Sequence, residues 1–319
     1  LADNIKKKDN ILGAAKADGA KWAKGLDLSK QKKTTFFAGC GYQFDSKLES
    51  LMGLIRRMDK SVVGTDMAMG VAGFQKKLGL DGMFLKVLGR GGSEDGQPLK
   101  DAVTVLRKLG EDPGYLAEEE PCCGGLLHYM GAKAEFAGHA HNVSHTLKSK
   151  GVRKIIGIVP SCTYTLKKLM ADSDSEADFE VKHFCEVVAE KVSDLNLKYS
   201  QTVKVTYHDP CQLARYMGLI EEPRKILRAI QGIEFVEPKW TKGEFATCCG
   251  GGGGFEAVFP EMSEMLAVNR AKELVETGAQ IIVTQCPGCI MQLKTGLKAL
   301  KVDNMEVMDL ATMVARSLV

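Results

Sequence analysis

The sequence predicts an α/β protein made of two pseudo-symmetric halves. Each is a mostly parallel sheet with flanking helices, and the chemically active loops lie at the strand ends. Three observations predict it. Short apolar runs of strand length alternate with helical patterns, the signature of parallel strands joined by crossovers. The order of these elements recurs in the second half of the chain. Cysteines fall where the strands run out: Thr34–Ala38 ends at Gly39-Cys40, Lys154–Val159 leads into Pro160-Ser161-Cys162, Val203–Tyr207 precedes Cys211, and Gln280–Thr284 precedes Cys286.

Taken in order, residues 1–33 form a basic arm with nine lysines against four acids. Its weak periodicity reads as a solvated linker, although Trp22 and Leu26 give it something apolar to lay on a surface. The first residue, Leu1, is not Met, so further sequence is expected before it. The first domain is expected over 34–198 and the second over 199–319. In the first, an amphipathic helix over Lys47–Met58 precedes an insertion at 59–100 that contains Met67, Met69, Met83 and a polar turn at 91–96. Met-rich segments can form adaptable surfaces, but an ordinary helical insertion is the simpler reading. Gly89-Arg90-Gly91-Gly92 lacks the third glycine of a dinucleotide fingerprint. A helix over 101–109, a short strand near 114–117, a helix over Ala132–Lys150, a helix from about Thr163, the strand Phe179–His183 and a helix to about Val192 complete the half.

The halves align as a duplication. Cys40 matches Cys211, and Cys122-Cys123 matches Cys248-Cys249. Gly151 and Gly278 each lie 11 positions before Cys162 and Cys289, Asn142 and Asn269 nine before those glycines, and Phe179–Val188 resembles Met305–Val314. The register exposes one departure: Val159 stands where the second half has Cys286, so the first half has four matching cysteines and the second five. Cys185 aligns with Ala311 and reads as a small buried residue. Cys40 and Cys122 are 82 positions apart, against 37 for Cys211 and Cys248; the insertion is the difference.

Five cysteines organise the second half: Cys211, Cys248, Cys249, Cys286 and Cys289. Both intervals between their three groups are 37 positions. Thiolates are soft ligands for iron–sulfur clusters, zinc or copper(I), and four of them satisfy a [4Fe–4S] cube or a zinc ion. A fifth points to a spare ligand or to a cluster with a bridging thiolate. Gly250, Gly251 and Gly252 open a run of five glycines that can bring bare backbone close to a cofactor; no Gly-Lys-Ser/Thr follows, so it is not a phosphate loop. His208 and Asp209 occur only in the second half, opposite Phe37 and Ala38. His208 could pass a proton to a thiolate leaving group or satisfy a buried carbonyl, and Asp209 could cap the next helix. His139, His141 and His145 lack a carboxylate or cysteine in register and read as a solvated face.

Composition sets the outer bounds. With 319 residues, 45% of them hydrophobic, the chain can bury a sizeable core. A net charge of +3 does not call for nucleic acid. No stretch approaches the ~18 apolar residues of a membrane span, so a cytoplasmic protein is expected, peripheral to a membrane only through a partner. Ten cysteines with two Cys-Cys pairs and a Cys-x-x-Cys fit metal ligation in a reducing compartment better than disulfides.

His-Asp-Pro-Cys at 208–211, Cys-Cys followed by five glycines at 248–254, and Cys-Pro-Gly-Cys at 286–289 together resemble the CCG domain of the B-type and D-type subunits of heterodisulfide reductases and their relatives. The resemblance implies a non-cubane [4Fe–4S] cluster on the five cysteines of the second half. It also implies an iron–sulfur oxidoreductase that reduces a disulfide in a two-electron step, or oxidises thiols, with Cys248, Cys249 and His208 at the chemistry. Cys40, Cys122, Cys123 and Cys162 would hold a second cluster, or zinc. Relatives carry a ferredoxin-type domain with two Cys-x-x-Cys-x-x-Cys runs before the arm. None occurs here, so electrons are expected from a ferredoxin-like subunit, with a flavin-containing or membrane cytochrome b subunit as further partners. The alternative is an electron-transfer subunit of the glycolate- or lactate-oxidase or acyl-CoA-linked kind, with no disulfide substrate. A zinc-stabilised scaffold is the third reading, which the fifth cysteine and the glycine run disfavour.

Overall fold

The computed structural model describes residues 2–59 and 96–319. Two all-parallel sheets carry the chain. The first has the order β1 (Thr34–Phe37), β2 (Lys154–Gly157), β3 (Glu180–His183). The second contains β4 (Lys198–Tyr207), β5 (Gln231–Val236), β6 (Ile281–Thr284) and β7 (Glu306–Asp309), in the order β5-β4-β6-β7. The triplet β4-β6-β7 repeats β1-β2-β3, as the aligned cysteines require. What differs is the outer edge. β5 covers β4, whereas β1 is met there by a single bridge from Thr35 to Gly114, so the strand expected near 114–117 reduces to that contact. Ile281–Thr284 of β6 is wholly buried, as expected where helices cover both faces of a parallel sheet.

The repeat extends to the helix starts. His183 accepts from the backbone N–H of Cys185 and caps the helix Phe184–Lys191; the aligned Asp309 accepts from Ala311 and caps Leu310–Ser317. Short polar acceptors at this position satisfy otherwise orphaned N–H groups. Burial pushes Asp309 up to about 7, and the Tyr42 hydroxyl of the other half donates to it. The last helix, Leu310–Ser317, packs on Gln97–Lys108 of the first half, where Thr312 donates to Asp101 at 2.7 Å. One buried apolar cluster runs through both halves.

Two expectations need revising. The arm is basic but not solvated. Helix Ala2–Lys8 buries Ile5, and Leu12 and Trp22 join the core, with the Trp22 indole donating to Tyr115 at 3.0 Å. The helix expected over 101–109 runs Gln97–Lys108, with Pro98 in its first turn and Gly96 in the left-handed conformation before it. The expectations for Met67, Met69, Met83 and Gly89-Arg90-Gly91-Gly92 lie outside the described residues.

His183 is fully buried, donates from Nε2 to the Ile158 carbonyl at 2.9 Å, and is pushed down to about 3 by burial. It folds neutral and must be protonated when the chain unfolds below its ordinary value of 6.5. Its folded value being depressed, stability is present above about pH 6.5 and is lost as pH falls toward 3, at about 1.4 kcal/mol per unit. His183→Asn puts a capping oxygen in place of the ring Nδ1, without the titration. Denaturant melts from pH 7 to 5 are expected to show the wild type losing about 2 kcal/mol more than the variant; parallel losses would count against this assignment.

Candidate metal centres

Four strand ends deliver a cysteine to the two sets. Beyond β1, β2, β4 and β6 the chain turns directly into helices containing or following Cys40, Cys162, Cys211 and Cys286. This is where open parallel sheets place their ligand sites. The two Cys-Cys pairs come in on separate loops. All ten cysteines are free.

In the first half Cys40, Cys122, Cys123 and Cys162 are all buried. The Sγ atoms of Cys40 and Cys122 are 3.8 Å apart. Val159, at the position of the missing fifth cysteine, fills space with its methyls: a Cβ on Gly39 would sit 3.0 Å from Val159 Cγ2 and 3.1 Å from Cys162 Sγ. Glu120 braces the loop before Cys40, accepting from the N–H groups of Ala38 and Gly39 at 2.8 and 3.0 Å, and burial pushes it up to about 8. Asp9 of the arm accepts from the N–H of Cys122 at 2.8 Å and pairs with Lys16. The arm thus reaches the cysteine pair directly.

The second set is more open. Cys249 and Cys289 are buried, Cys211 and Cys286 half-buried, and Cys248 exposed. Cys249 Sγ lies 3.2 Å from Cys289 Sγ, and the N–H of Gly250 donates to Cys248 Sγ at 3.3 Å. The glycines divide their work. Gly250 has φ +85 and packs where a Cβ would be 2.3 Å from the Ser263 carbonyl oxygen. Gly251 lies against Gln292, and the N–H of Gly252 donates to Glu256 at 2.9 Å, not to a sulfur. Of these three glycines, Gly250 alone donates to a cysteine sulfur.

His208 and Asp209 take neither of their anticipated structural roles. His208 is buried and accepts on Nδ1 from Arg270 Nε at 3.0 Å. One of its ring nitrogens and the sulfurs of Cys249 and Cys289 lie within 4.8 Å of one another. Asp209 forms a buried bidentate pair with Arg224 at 2.8 and 2.9 Å and accepts from the Gly243 N–H. Neither arginine is singled out by motif. The available signal is their spacing: Arg270 falls in the apolar stripe Ala267, Ala271, Leu274 of the helix Pro260–Val275, and a charge on such a stripe needs a buried partner. His139 meets the Cys122 carbonyl at 2.7 Å, while His141 and His145 are exposed as expected. Cys185 is fully buried beside His183, away from both sets.

The donor chemistry fits a cationic group. Neighbouring thiols, then burial, push Cys122, Cys162, Cys248 and Cys289 up, and burial pushes Cys211 up, while Cys123 and Cys249 are held down by hydrogen bonds from adjacent thiols. By itself each set readily carries little negative charge. A metal or cluster removes that limit, because ligation requires the thiolate and releases the proton.

The two sets share a cavity of about 1640 Å³, whose wall includes Cys40, Cys162, Cys211, Cys286 and Cys289 as well as Gly251–Gly254. Their loops touch: a Cβ on Gly41 would stand 2.6 Å from Cγ of Pro287.

Fold and sites define an α/β protein with paired thiolate centres at the ends of two parallel sheets. The cysteine-rich domain family, CCG, matches residues 88–167 and 205–294. That is more than half of the chain, and the chain belongs to this family. The first match begins after Cys40, which the insertion separates from Cys122. Among relatives, the D-type subunit of the dihydromethanophenazine:CoB–CoM heterodisulfide reductase of Methanosarcina mazei is 38% identical over 67% of this chain and 53% of its own length. EtfAB:quinone oxidoreductase of Syntrophomonas wolfei is 33% identical over 66% of this chain and 30% of its own length. The B-type subunit of the fumarate reductase (CoM/CoB) of Methanothermobacter marburgensis is 34% identical over 65% and 40%. The chain thus spans about half the length of such relatives, or less. No helix among the described residues is long and apolar enough to cross a membrane.

Gly41→Ala tests the contact between the two loops. The added methyl must displace Pro287 or the loop of Cys40, at a cost of about 1–3 kcal/mol. Metal-centre spectra of both sets are expected to change together. A change confined to the first set would mean that the loops are not coupled.

Proposed function

We propose that this chain is an iron–sulfur redox component in which Cys211, Cys248, Cys249, Cys286 and Cys289 hold a non-cubane [4Fe–4S] cluster that reduces a disulfide or, in reverse, oxidises two thiols. The observation that carries this reading is the shared cavity, whose wall includes Cys211, Cys286 and Cys289 of the five-cysteine set. Ligand sites are concave, roomy and convergent; a centre that only relays electrons needs no chamber. The curated relatives, two of them named for CoM and CoB, support the same class.

When bound, such a cluster supplies iron that can take up a sulfur atom and accept electrons singly. The chain's residues do the rest. The five thiolates hold the metal, and the Gly250 N–H stabilises charge on Cys248. Gly252 leaves the cavity wall bare, since no atom of the described residues lies within 4 Å of where its Cβ would be. Reduction consumes two electrons and two protons and releases two thiols. The electrons come from a partner redox protein, of ferredoxin, flavin or cytochrome type. Cys40, Cys122, Cys123 and Cys162, buried and four in number, suit a cubane cluster or zinc that relays or braces. His208 is not on the cavity wall, so delivery of a proton to a substrate there finds no support in its position.

A second reading, electron transfer with no disulfide substrate, draws on the quinone oxidoreductase relative. Low-temperature electron paramagnetic resonance separates the two. Protein purified anaerobically and oxidised with a thiol is expected to show a paramagnetic signal absent without the thiol, and Cys286→Ser should abolish it while Cys40→Ser leaves it. Ordinary reduced-cluster signals, indifferent to a panel of thiols, would favour relay. Protein without iron would overturn both.

A further inference from the structure

The second half carries a buried polar pair that the first half replaces with apolar residues. His208 aligns with Phe37. Arg270, directly after Asn269, aligns with Val143, directly after Asn142. Phe37, Val143, His208 and Arg270 are each no more than 1% exposed. The same place in the repeat is therefore filled by two apolar side chains in one half and by an imidazole against a guanidinium in the other. Burying a guanidinium carries a desolvation penalty of several kcal/mol, so the apolar pair is the less costly filling. The two polar residues also occur on the side of the five-cysteine set.

Hydrogen-bond chemistry then fixes the imidazole. A guanidinium has donors and no acceptor. Arg270 Nε, 3.0 Å from His208 Nδ1, can only donate, so Nδ1 presents its lone pair. A neutral ring in that state has its single proton on Nε2. One ring nitrogen lies within 4.8 Å of the Cys249 and Cys289 sulfurs, and with Nδ1 taken by Arg270 the Nε2–H is the edge left to face the Cys249 sulfur. The guanidinium is itself anchored. Its Nη1 donates to the Thr241 carbonyl at 2.8 Å and to Glu273 at 2.7 Å, and Glu273 accepts from Thr247 at 2.5 Å. Thr247 immediately precedes Cys248, so the clamp and the cysteine pair share one loop.

We propose that Arg270 is a positioning residue that locks His208 as the Nε2–H tautomer, making it a fixed donor to the Cys249 sulfur and not a metal ligand. His208, Cys249 and Cys289 otherwise form a trio close enough to hold an ion, but a ring protonated on Nε2 and accepting on Nδ1 has no lone pair for a metal. Hydrogen bonds to ligand sulfurs raise the potential of a cluster. That consequence rests on the iron–sulfur reading; the tautomer does not.

The test uses the full chain in two forms. With ring-¹⁵N histidine and its cysteines loaded with zinc, NMR reads the His208 tautomer. Loaded anaerobically with iron and sulfide, a redox titration reads the midpoint potential of the second set. Wild type is expected to show Nε2–H, Arg270→Lys to retain it, and Arg270→Met to lose it or mix the tautomers. The potential should fall in Arg270→Met and also in the double variant His208→Phe with Arg270→Val, which copies the first half's apolar packing and serves if Arg270→Met does not fold. A wild-type ring protonated on Nδ1, an Nε2 shift typical of zinc ligation, or a potential that the double variant leaves unmoved would each overturn the proposal. If the chain takes up no iron, the functional reading fails while the zinc form still decides the tautomer.

Discussion

Crowding of thiols at the carboxyl ends of parallel strands is the constraint on which the rest of the structure depends. Parallel strands joined by crossovers bring loops from distant parts of the chain to one edge, and here those loops bring cysteines. Cys249 and Cys289, 40 positions apart, have their sulfurs 3.2 Å from each other. Buried thiols so close cannot all ionise unaided, because each new thiolate meets its neighbours' charge in a poorly solvated place. The surrounding structure is arranged around that problem. Backbone N–H groups are turned toward sulfur, as at Gly250, and the loops are held from behind by buried ion pairs such as Arg224 with Asp209.

The halves answer the constraint differently. In the first, Val159 replaces a cysteine, Phe37 and Val143 pack where the second half has His208 and Arg270, and all four cysteines are buried. In the second, polar groups enter the core: beside His208 and Arg270, Gln285 stands opposite Ile158, wholly buried and with both amide atoms unpartnered among the described residues. Unpaired buried amides are costly, and a protein that carries one next to Cys286 is spending stability at that end of the sheet. Divergence of this kind leaves the four cysteines of one half buried and the other set more open, with Cys248 exposed.

Much of this was legible in the sequence. Strand positions, the duplication, the nine aligned cysteines and the absence of a fifth in the first half follow from spacing alone, because cysteine at a strand end is a rare and position-specific event. What the sequence concealed depends on tertiary contacts. The arm looked solvated because its lysines outnumber everything else, yet a few apolar residues without periodicity, Ile5, Leu12 and Trp22, suffice to bury one side of it. β5 escaped notice because Gln231–Val236 is an exposed edge strand with little apolar pattern. By sequence Asp209 could cap the next helix, as aspartate at such a place often does; Arg224, fifteen positions away, competes for it and wins with two charge-assisted hydrogen bonds.

Coupling between the halves follows from where they meet. Tyr42 lies two residues after Cys40, and its hydroxyl donates to Asp309, the cap of the last helix of the other half. Gly41 abuts Pro287 between Cys286 and Cys289. Both contacts are buried or tight, and both join the immediate neighbours of one cysteine set to those of the other. The two sets are thus linked through one hydrogen bond and one van der Waals contact. Independent hinge motion of the halves would have to break the Tyr42–Asp309 hydrogen bond and open the apolar cluster that spans them. The two cysteine sets thus face one cavity whose walls come from both halves, joined by these contacts.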